Sequence, residues 1–338
     1  MKKLVQSPWL RWLIGLVGSM LLLYLAFRST SFAAVWAVLR QANLGWICVA
    51  LMSVLATTLF KVVRWQVMLG PPGKQVSFME LLMANLSGQM LNALFPVRVG
   101  DVSRAVLIGG EGPGWAFVLG SVALEKIVDL LWFALLIVLL LVLIPLPGWV
   151  GDSIWVVLGA ASLMGVLTFA LTANRQRILQ IAETLSHRWP SKTSLYLVGQ
   201  LRNGLVSLDV LQQRRDLVKI AVWSTVIWGM SILTNFFVLL SLGIHLSFAA
   251  SILILVALTI GISVAAVPGR IGVFEWICVL VLAIYGVGQT QALSYGLMLH
   301  AVVYIPTMLL GVISLFILAR GRQRRATEAL VNAQQAND

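Results

Sequence analysis

The sequence predicts an all-α, polytopic helical membrane protein, on three observations. Of 338 residues, 60% are hydrophobic and 11% charged, where a soluble domain carries roughly 25% charged residues. The apolar residues gather in runs close to the ~20 residues that a helix needs to cross the hydrocarbon core. Two of the runs are broken in the middle by one shared pattern, "PVRVG" at Pro96 to Gly100 and "PGRIG" at Pro268 to Gly272. These observations give about six full spans plus two broken or re-entrant helical hairpins, in a single membrane domain over 1–338.

The first run, near 10–27, follows Lys2, Lys3 and Arg11 as a signal peptide would, but Arg28 follows it and no small-residue cleavage site does. It reads as a retained signal-anchor helix. In 28–43, "FAAVWAVL" reads as an interfacial helix whose neighbours Arg28 and Arg40 can snorkel. A span near 44–62 leads to the first broken segment, 77–110, and spans near 122–144 and 154–173 complete a first half, 10–173, with its elbow at 96–100. The connection 174–217 carries Arg175, Arg177, Arg188, Lys192, Arg202, Arg214 and Arg215, which places it in the cytoplasm by the positive-inside rule. Its Ile178, Ile181, Ala182 and Leu185, and later Leu201, Leu205 and Leu208, recur at helical spacing, predicting amphipathic helices on the inner leaflet. The second half, 218–319, has spans near 218–241 and 293–319 around the broken segment 248–288, with its elbow at 268–272. Connections 145–153, 242–247 and 286–292 contain no Lys or Arg, whereas the tail 320–338 is basic, so both termini are expected on the cytoplasmic face of the cell's inner membrane.

The two broken segments share more than five residues. Each follows a helix that begins Ser-Phe, at Ser77-Phe78 and Ser247-Phe248, and each elbow is followed by an acid, Asp101 or Glu275. Counting spans makes the first segment enter from the cytoplasm and the second from outside, an inverted repeat. Proline removes an amide donor and glycine permits unusual backbone angles, so each elbow should end one half-helix and open the next. Irregular backbone is not tolerated against lipid, hence such breaks face protein or a water-filled cavity. Paired interruptions of this kind point to a transporter's midplane site; the plainer alternative is a pair of kinked spans packed in the bundle.

An ionised side chain at the centre of a span costs ~2.5–3.5 kcal/mol on insertion scales, so Arg98, Asp101, Arg104, Arg270 and Glu275 are expected to line one polar cavity. Asn85, Gln89 and Asn92 stack on one helix face leading to the first elbow, as pathway lining or as helix-packing glue. Glu125 and Asp129 share a face of the third span with Lys126 nearby, either in the same cavity or at the interface. The guanidinium forks of Arg98, Arg104 and Arg270 match phosphate oxygens, and half-helix N-termini would add to the attraction, so a lipid head group fits. Glu125, Asp129 and Glu275 could balance the arginines, receive a cationic head group or carry protons. The candidate head-group site is therefore Asn92, Pro96, Arg98, Gly100, Asp101, Arg104, Glu125, Asp129, Pro268, Arg270, Gly272 and Glu275. No metal or other cofactor is expected: His187, His245 and His300 lack metal-binding spacing and read as interfacial, and Cys48 and Cys278 read as packing residues. The net charge of +12 suits an anionic lipid surface better than nucleic acid, since no soluble basic domain is present.

Three blocks, "LNALFPVRVGDVSRAVLI", "SVALEKIVDLLWF" and "AAVPGRIGVFEWICVLVL", in this order and spacing, resemble the lysylphosphatidylglycerol synthase transmembrane-region family of flippase-like (UPF0104-type) proteins. The first block in that family commonly reads P-G-R-x-G-E-x-x-R; Pro96, Arg98, Gly100 and Arg104 fit, while Val97 and Asp101 stand for the Gly and Glu. The third commonly reads G-G-x-G-x-x-E; Gly269, Gly272 and Glu275 fit, and Arg270 takes the second Gly's place. The resemblance implies a multi-pass protein that moves lipid, in some members an aminoacylated phosphatidylglycerol made by an attached synthase domain that this chain lacks, in others presumed polyprenyl-linked sugars or glycolipids.

The leading expectation is a translocase for an anionic phospholipid, an aminoacyl-phospholipid or a polyprenyl or glycolipid, with membrane lipids as its partners. The alternative is a membrane scaffold or partner of a lipid- or glycan-modifying enzyme. A third reading, an intramembrane lipid-modifying transferase with Asp101 or Glu125 as base, is weaker, because no catalytic motif accompanies the scattered charges.

Overall fold

The computed structural model describes residues 8–28, 30–95, 98–110, 112–143, 148–188, 191–264 and 268–335. Among the described residues there is no strand, and the helices follow the apolar runs. They are α1 (Pro8–Phe27), α2 (Phe32–Arg40), α3 (Leu44–Gly73), α4 (Phe78–Leu94), α5 (Val99–Gly109), α6 (Trp115–Leu143) and α7 (Gly148–Ala173), then α8 (Arg175–Arg188), α9 (Lys192–Val206), α10 (Arg214–Ser241), α11 (Phe248–Val264), α12 (Val273–Ile284) and α13 (Gln289–Gln335). Short 3-10 turns fill Ser207–Gln212 and Pro268–Arg270.

Local chemistry sets several boundaries. Asn43 caps α3, its side chain accepting from Gly45 N at 2.9 Å, and α3 runs past the expected end at 62 to a kink at Gly70 (φ 59) before Pro71 and Pro72. Ser77 and Glu80 close a reciprocal capping box at the start of α4. The basic tail continues α13 as helix to Gln335. By length and composition four of the described helices can each cross a membrane: Leu44–Gly73, Trp115–Leu143, Arg214–Ser241 and Gln289–Gln323. The described apolar part of α7, Leu158–Ala173, is shorter, and α1 joins α2 through a 74° bend that would make the pair a fifth span.

The centre of the bundle is the pair α3 and α10. Trp46 stacks on Phe237 at 5.7 Å, Ser53 hydrogen-bonds Thr234 at 2.6 Å, Phe60 stacks on Trp223 at 5.3 Å, and Arg64 reaches Ser224 at 3.0 Å. From the first contact to the last the α3 position rises from 46 to 64 while the α10 position falls from 237 to 224, so the helices are antiparallel. Small hydroxyl residues at this seam let the backbones approach, as in other helix pairs within lipid.

Each of these two helices is followed by a broken pair and a long helix. In the first half α4 and α5 fold back on each other. Asn92 Nδ2 donates to Asp101 at 3.0 Å, Gly88 lies directly against Gly100, and Gly112 lies beside Val76, so both feet of the hairpin stand at one end of the bundle. In the second half α11 and α12 do the same, Gly261 facing Ile277, with their feet at the other end. There Asn43 N donates to Ser241 O at 2.7 Å and Gln289 reaches Ala26 O at 3.0 Å. The two hairpins thus enter from opposite ends, and α4 packs against the Pro268–Arg270 turn.

Charge is distributed unequally between the ends. The feet of α4 and α5 share their end with the connection 174–217 and the tail: Arg322 donates to Val106 O at 3.0 Å, and Trp115 Nε1 to Tyr196 Oη at 3.2 Å. The apolar core is divided too. One cluster around Trp65, Leu81, Ile108, Phe117 and Leu205 serves the basic end, and another around Val238, Ile254, Phe274, Leu282 and Leu293 serves the opposite end.

Candidate functional site

The first hairpin closes against α3 and α6 around a group of buried charges. Arg104, on α5, forms a bidentate pair with Glu125 on α6, Nη1 to Oε1 at 3.2 Å and Nη2 to Oε2 at 2.8 Å. Both side chains are under a tenth exposed, and the guanidinium also lies 4.0 Å from the ring centre of Trp65, a stacking that suits Arg far better than Lys. Trp65 is held in turn by its Nε1 donating to Ser121 at 3.1 Å. One helical turn further along α6, Asp129 pairs with the fully buried Arg64 at 2.7 Å. Lys126 bridges Asp101 and Glu125, each at 3.5 Å.

The tip of the hairpin is tied to this group. Asn92 on α4 accepts from Gly100 N at 2.9 Å through its side-chain oxygen while its nitrogen donates to Asp101. Gly100 is required because a Cβ there would overlap the carbonyl of Gly88. Between α3, α4, α5 and α6 these side chains leave a cavity of about 70 Å3, lined by Lys61, Asn85, Gln89, Asn92, Asp101, Arg104, Glu125, Lys126 and Asp129. It has room for a small polar group, since a single water needs roughly 10–15 Å3, and it opens on the side where Lys126 and Asp129 keep about a third of their surface.

A second, smaller polar group sits at the second hairpin. Glu275 on α12 pairs with His300 on α13 at 2.6 Å, and its other oxygen caps its own helix by accepting from Gly272 N at 2.6 Å. Arg270 donates to Tyr304 Oη at 2.8 Å, and His300 packs against both Phe274 and Tyr304, ring centres at 4.8 and 4.5 Å. The two halves therefore use one scheme: an ionisable side chain on the returning arm of the hairpin meets an ionisable partner on the long helix that follows. The acid changes sides: Arg104 on the arm meets Glu125 in the first half, and Glu275 on the arm meets His300 in the second.

The charges expected to share one cavity are thus divided. Asp101, Arg104, Glu125 and Asp129 gather at the first hairpin, and Arg270 and Glu275 at the second. Arg98 stays outside both, exposed at the tip where it precedes α5. Gly100 and Gly272 mark the start of α5 and α12; Pro96 lies outside the described residues, and Pro268 opens the short turn before α12. The acids mainly balance cations: Glu125 and Asp129 each take one arginine. The expected phosphate grip by Arg98, Arg104 and Arg270 is not assembled, because the terminal nitrogens of Arg104 are both engaged by Glu125 and Arg270 is held by Tyr304. His300, read as interfacial, is an interior residue with 14% side-chain exposure, drawn in by the buried carboxylate of Glu275. Cys48 and Cys278 are both free thiols, the first exposed and the second buried.

Arg270 is also the one described non-glycine residue with positive φ, at 58°. It lies between Gly269 (φ 65) and Gly272 (φ 85), in a left-handed turn where an L side chain costs roughly 1–2 kcal/mol. The family that the third block resembles commonly has glycine at this position, and here the bond to Tyr304 holds the arginine. Lys61, Arg64 and Trp65 were not among the candidates, although they form one wall of the first site.

Fold and site together define a multi-pass helical membrane protein built around two opposed helical hairpins with buried charges at their returning arms. The chain belongs to the family described as the lysylphosphatidylglycerol synthase TM region, whose pattern it matches over residues 12–311. It is 23% identical over 326 residues to a UPF0104 membrane protein of Pyrococcus horikoshii, covering 90% of this chain and 96% of that one. No solved structure matches the chain.

Proposed function

We propose that this protein is a lipid translocase, in which the hairpin tips and their flanking charge groups form the path of a lipid head group while the acyl chains stay in the bilayer. The observation that carries the reading is the pair of hairpins entering from opposite ends, α4 of the first packed against the turn of the second, with a polar cavity beside the first. Non-helical backbone and buried charges at membrane depth are costly, and their known use is to line a substrate pathway. Membership of a family named for the membrane region of a lipid synthase supports a lipid-related role. The basic end faces the cytoplasm of a cell membrane in this reading, with both chain termini there, since positive residues stay on that side.

The test is reconstitution of the purified protein alone into vesicles, with labelled lipids that differ only in head group: phosphatidylglycerol, an aminoacylated phosphatidylglycerol, phosphatidylcholine and a polyprenyl phosphate. Exchange of at least one anionic or aminoacylated lipid between leaflets, faster than in protein-free vesicles and with its mass unchanged, is expected. Movement that needs an added enzyme would indicate a scaffold, and a change in lipid mass a transferase; either outcome replaces the translocase reading.

A further inference from the structure

The first cavity is unbalanced in a specific way. Three carboxylates, Asp101, Glu125 and Asp129, meet Lys126, Arg104 and Arg64 at ion-pair distance, and Lys61, which lines the same cavity, has no ion pair or hydrogen bond among the described residues. The unpaired buried atoms around it have the same character. Among the lining residues they are Asn85 Nδ2, Gln89 Nε2 and Arg104 Nε, and outside the lining Nε and Nη2 of Arg64. Asn85 is 2% exposed, so its amide has no bulk water to turn to. Buried donors without acceptors each cost about 1–3 kcal/mol, and an unneutralised cation adds to that. Such a site is completed by a ligand that brings acceptor oxygens and negative charge.

We infer that Lys61, with Asn85 and Gln89 beside it, forms a subsite for a phosphate-type oxyanion. Lys61 supplies the charge as a mobile ammonium on α3, and the two amides, one turn apart on α4, supply directed hydrogen bonds. Arg104 and Arg64 keep their carboxylate partners. The inference rests on the lipid-path reading only for the carrier of the phosphate; the site itself is a binding property, measurable without transport.

The experiment uses full-length protein in detergent and measures binding of a short-chain phosphatidylglycerol, of the matching diacylglycerol and of inorganic phosphate. Wild type is expected to bind the phosphatidylglycerol and not the diacylglycerol. Lys61→Gln is expected to weaken that binding roughly tenfold or more, the loss of one charge-assisted hydrogen bond, while Lys61→Arg retains most of it. Lys61→Gln removes a cation that makes no close ion pair or hydrogen bond among the described residues and is expected to melt no lower than wild type. Asn85→Asp, which places an anion in the cavity at nearly constant shape, gives the same loss of binding and carries the test if Lys61→Gln does not fold. Failure of inorganic phosphate to compete points to a lipid-borne phosphate; competition that is lost in Lys61→Gln supports the same subsite with a free anion as occupant. Equal binding of diacylglycerol and phosphatidylglycerol, or binding indifferent to both substitutions, overturns the subsite. Should binding fail while the vesicles still show lipid exchange, the subsite alone is wrong; should binding hold while exchange is absent, the translocase reading alone is wrong.

Discussion

Arg104 and Glu125 show what a buried charge demands of its surroundings. Each is enclosed by the hairpin, α3 and α6, and their two parallel hydrogen bonds with the stacking on Trp65 replace the water that both have lost. Removing one partner leaves the other charged and unpaired. Glu125→Gln is therefore expected to destabilise the protein by about 3–5 kcal/mol, and Arg104→Met by a similar amount. The Arg104→Met, Glu125→Leu double variant should recover much of the loss, because no orphan charge remains. Thermal unfolding in detergent, compared across the three variants, reads this directly, and single variants that melt like wild type would mean the pair is not enclosed as described. The acids, the amides and Arg104 were legible in the sequence because a charge inside an apolar run stands out. Lys61, Arg64 and Trp65 were not, since a lysine and an arginine near the end of an apolar run look like the snorkelling flank of a span. Only the continuation of α3 to the Gly70 kink carries them into the interior. His300 was hidden for another reason: its partner Glu275 lies across a hairpin, and sequence spacing alone does not bring them together.

At the scale of elements, the hairpins depend on close approach of their arms. Gly88 and Gly100 touch backbone to backbone, and a Cβ at either position meets the other's carbonyl. Gly100→Ala is expected to push α5 off α4, breaking the Asn92 bonds to Gly100 and Asp101, at a cost of about 1–3 kcal/mol for overpacking. Gly159→Ala, where nothing lies within 4 Å of the new methyl, is the control and should leave the melting temperature unchanged or slightly raised. Equal melting of the two variants would show that the arms are not in contact. Most elements were readable beforehand, because apolar run length fixes a membrane helix and Pro with Gly marks a break. Whether a broken segment is a kinked span or a hairpin was not readable, since both share the same local pattern. The distinction lies in the Gly88–Gly100 crossing, which joins residues on opposite sides of the elbow.

Across the whole molecule, antiparallel α3 and α10 set two hairpins in opposite directions. This arrangement places Lys74 and Gly112 on one side of the membrane together with Lys192, and Gly288 on the other. All four positions are exposed. A chain in which 77–110 crossed as a kinked span would instead separate Lys74 from Gly112. The most direct measurement is therefore cysteine labelling with a membrane-impermeant reagent, in a background with Cys48 and Cys278 replaced. Single variants Lys74→Cys, Gly112→Cys, Lys192→Cys and Gly288→Cys would be compared in intact and permeabilised cells. The account predicts that only Gly288→Cys labels in intact cells and that the other three label together after permeabilisation. Labelling of Gly112→Cys from the side opposite to Lys74→Cys would contradict it.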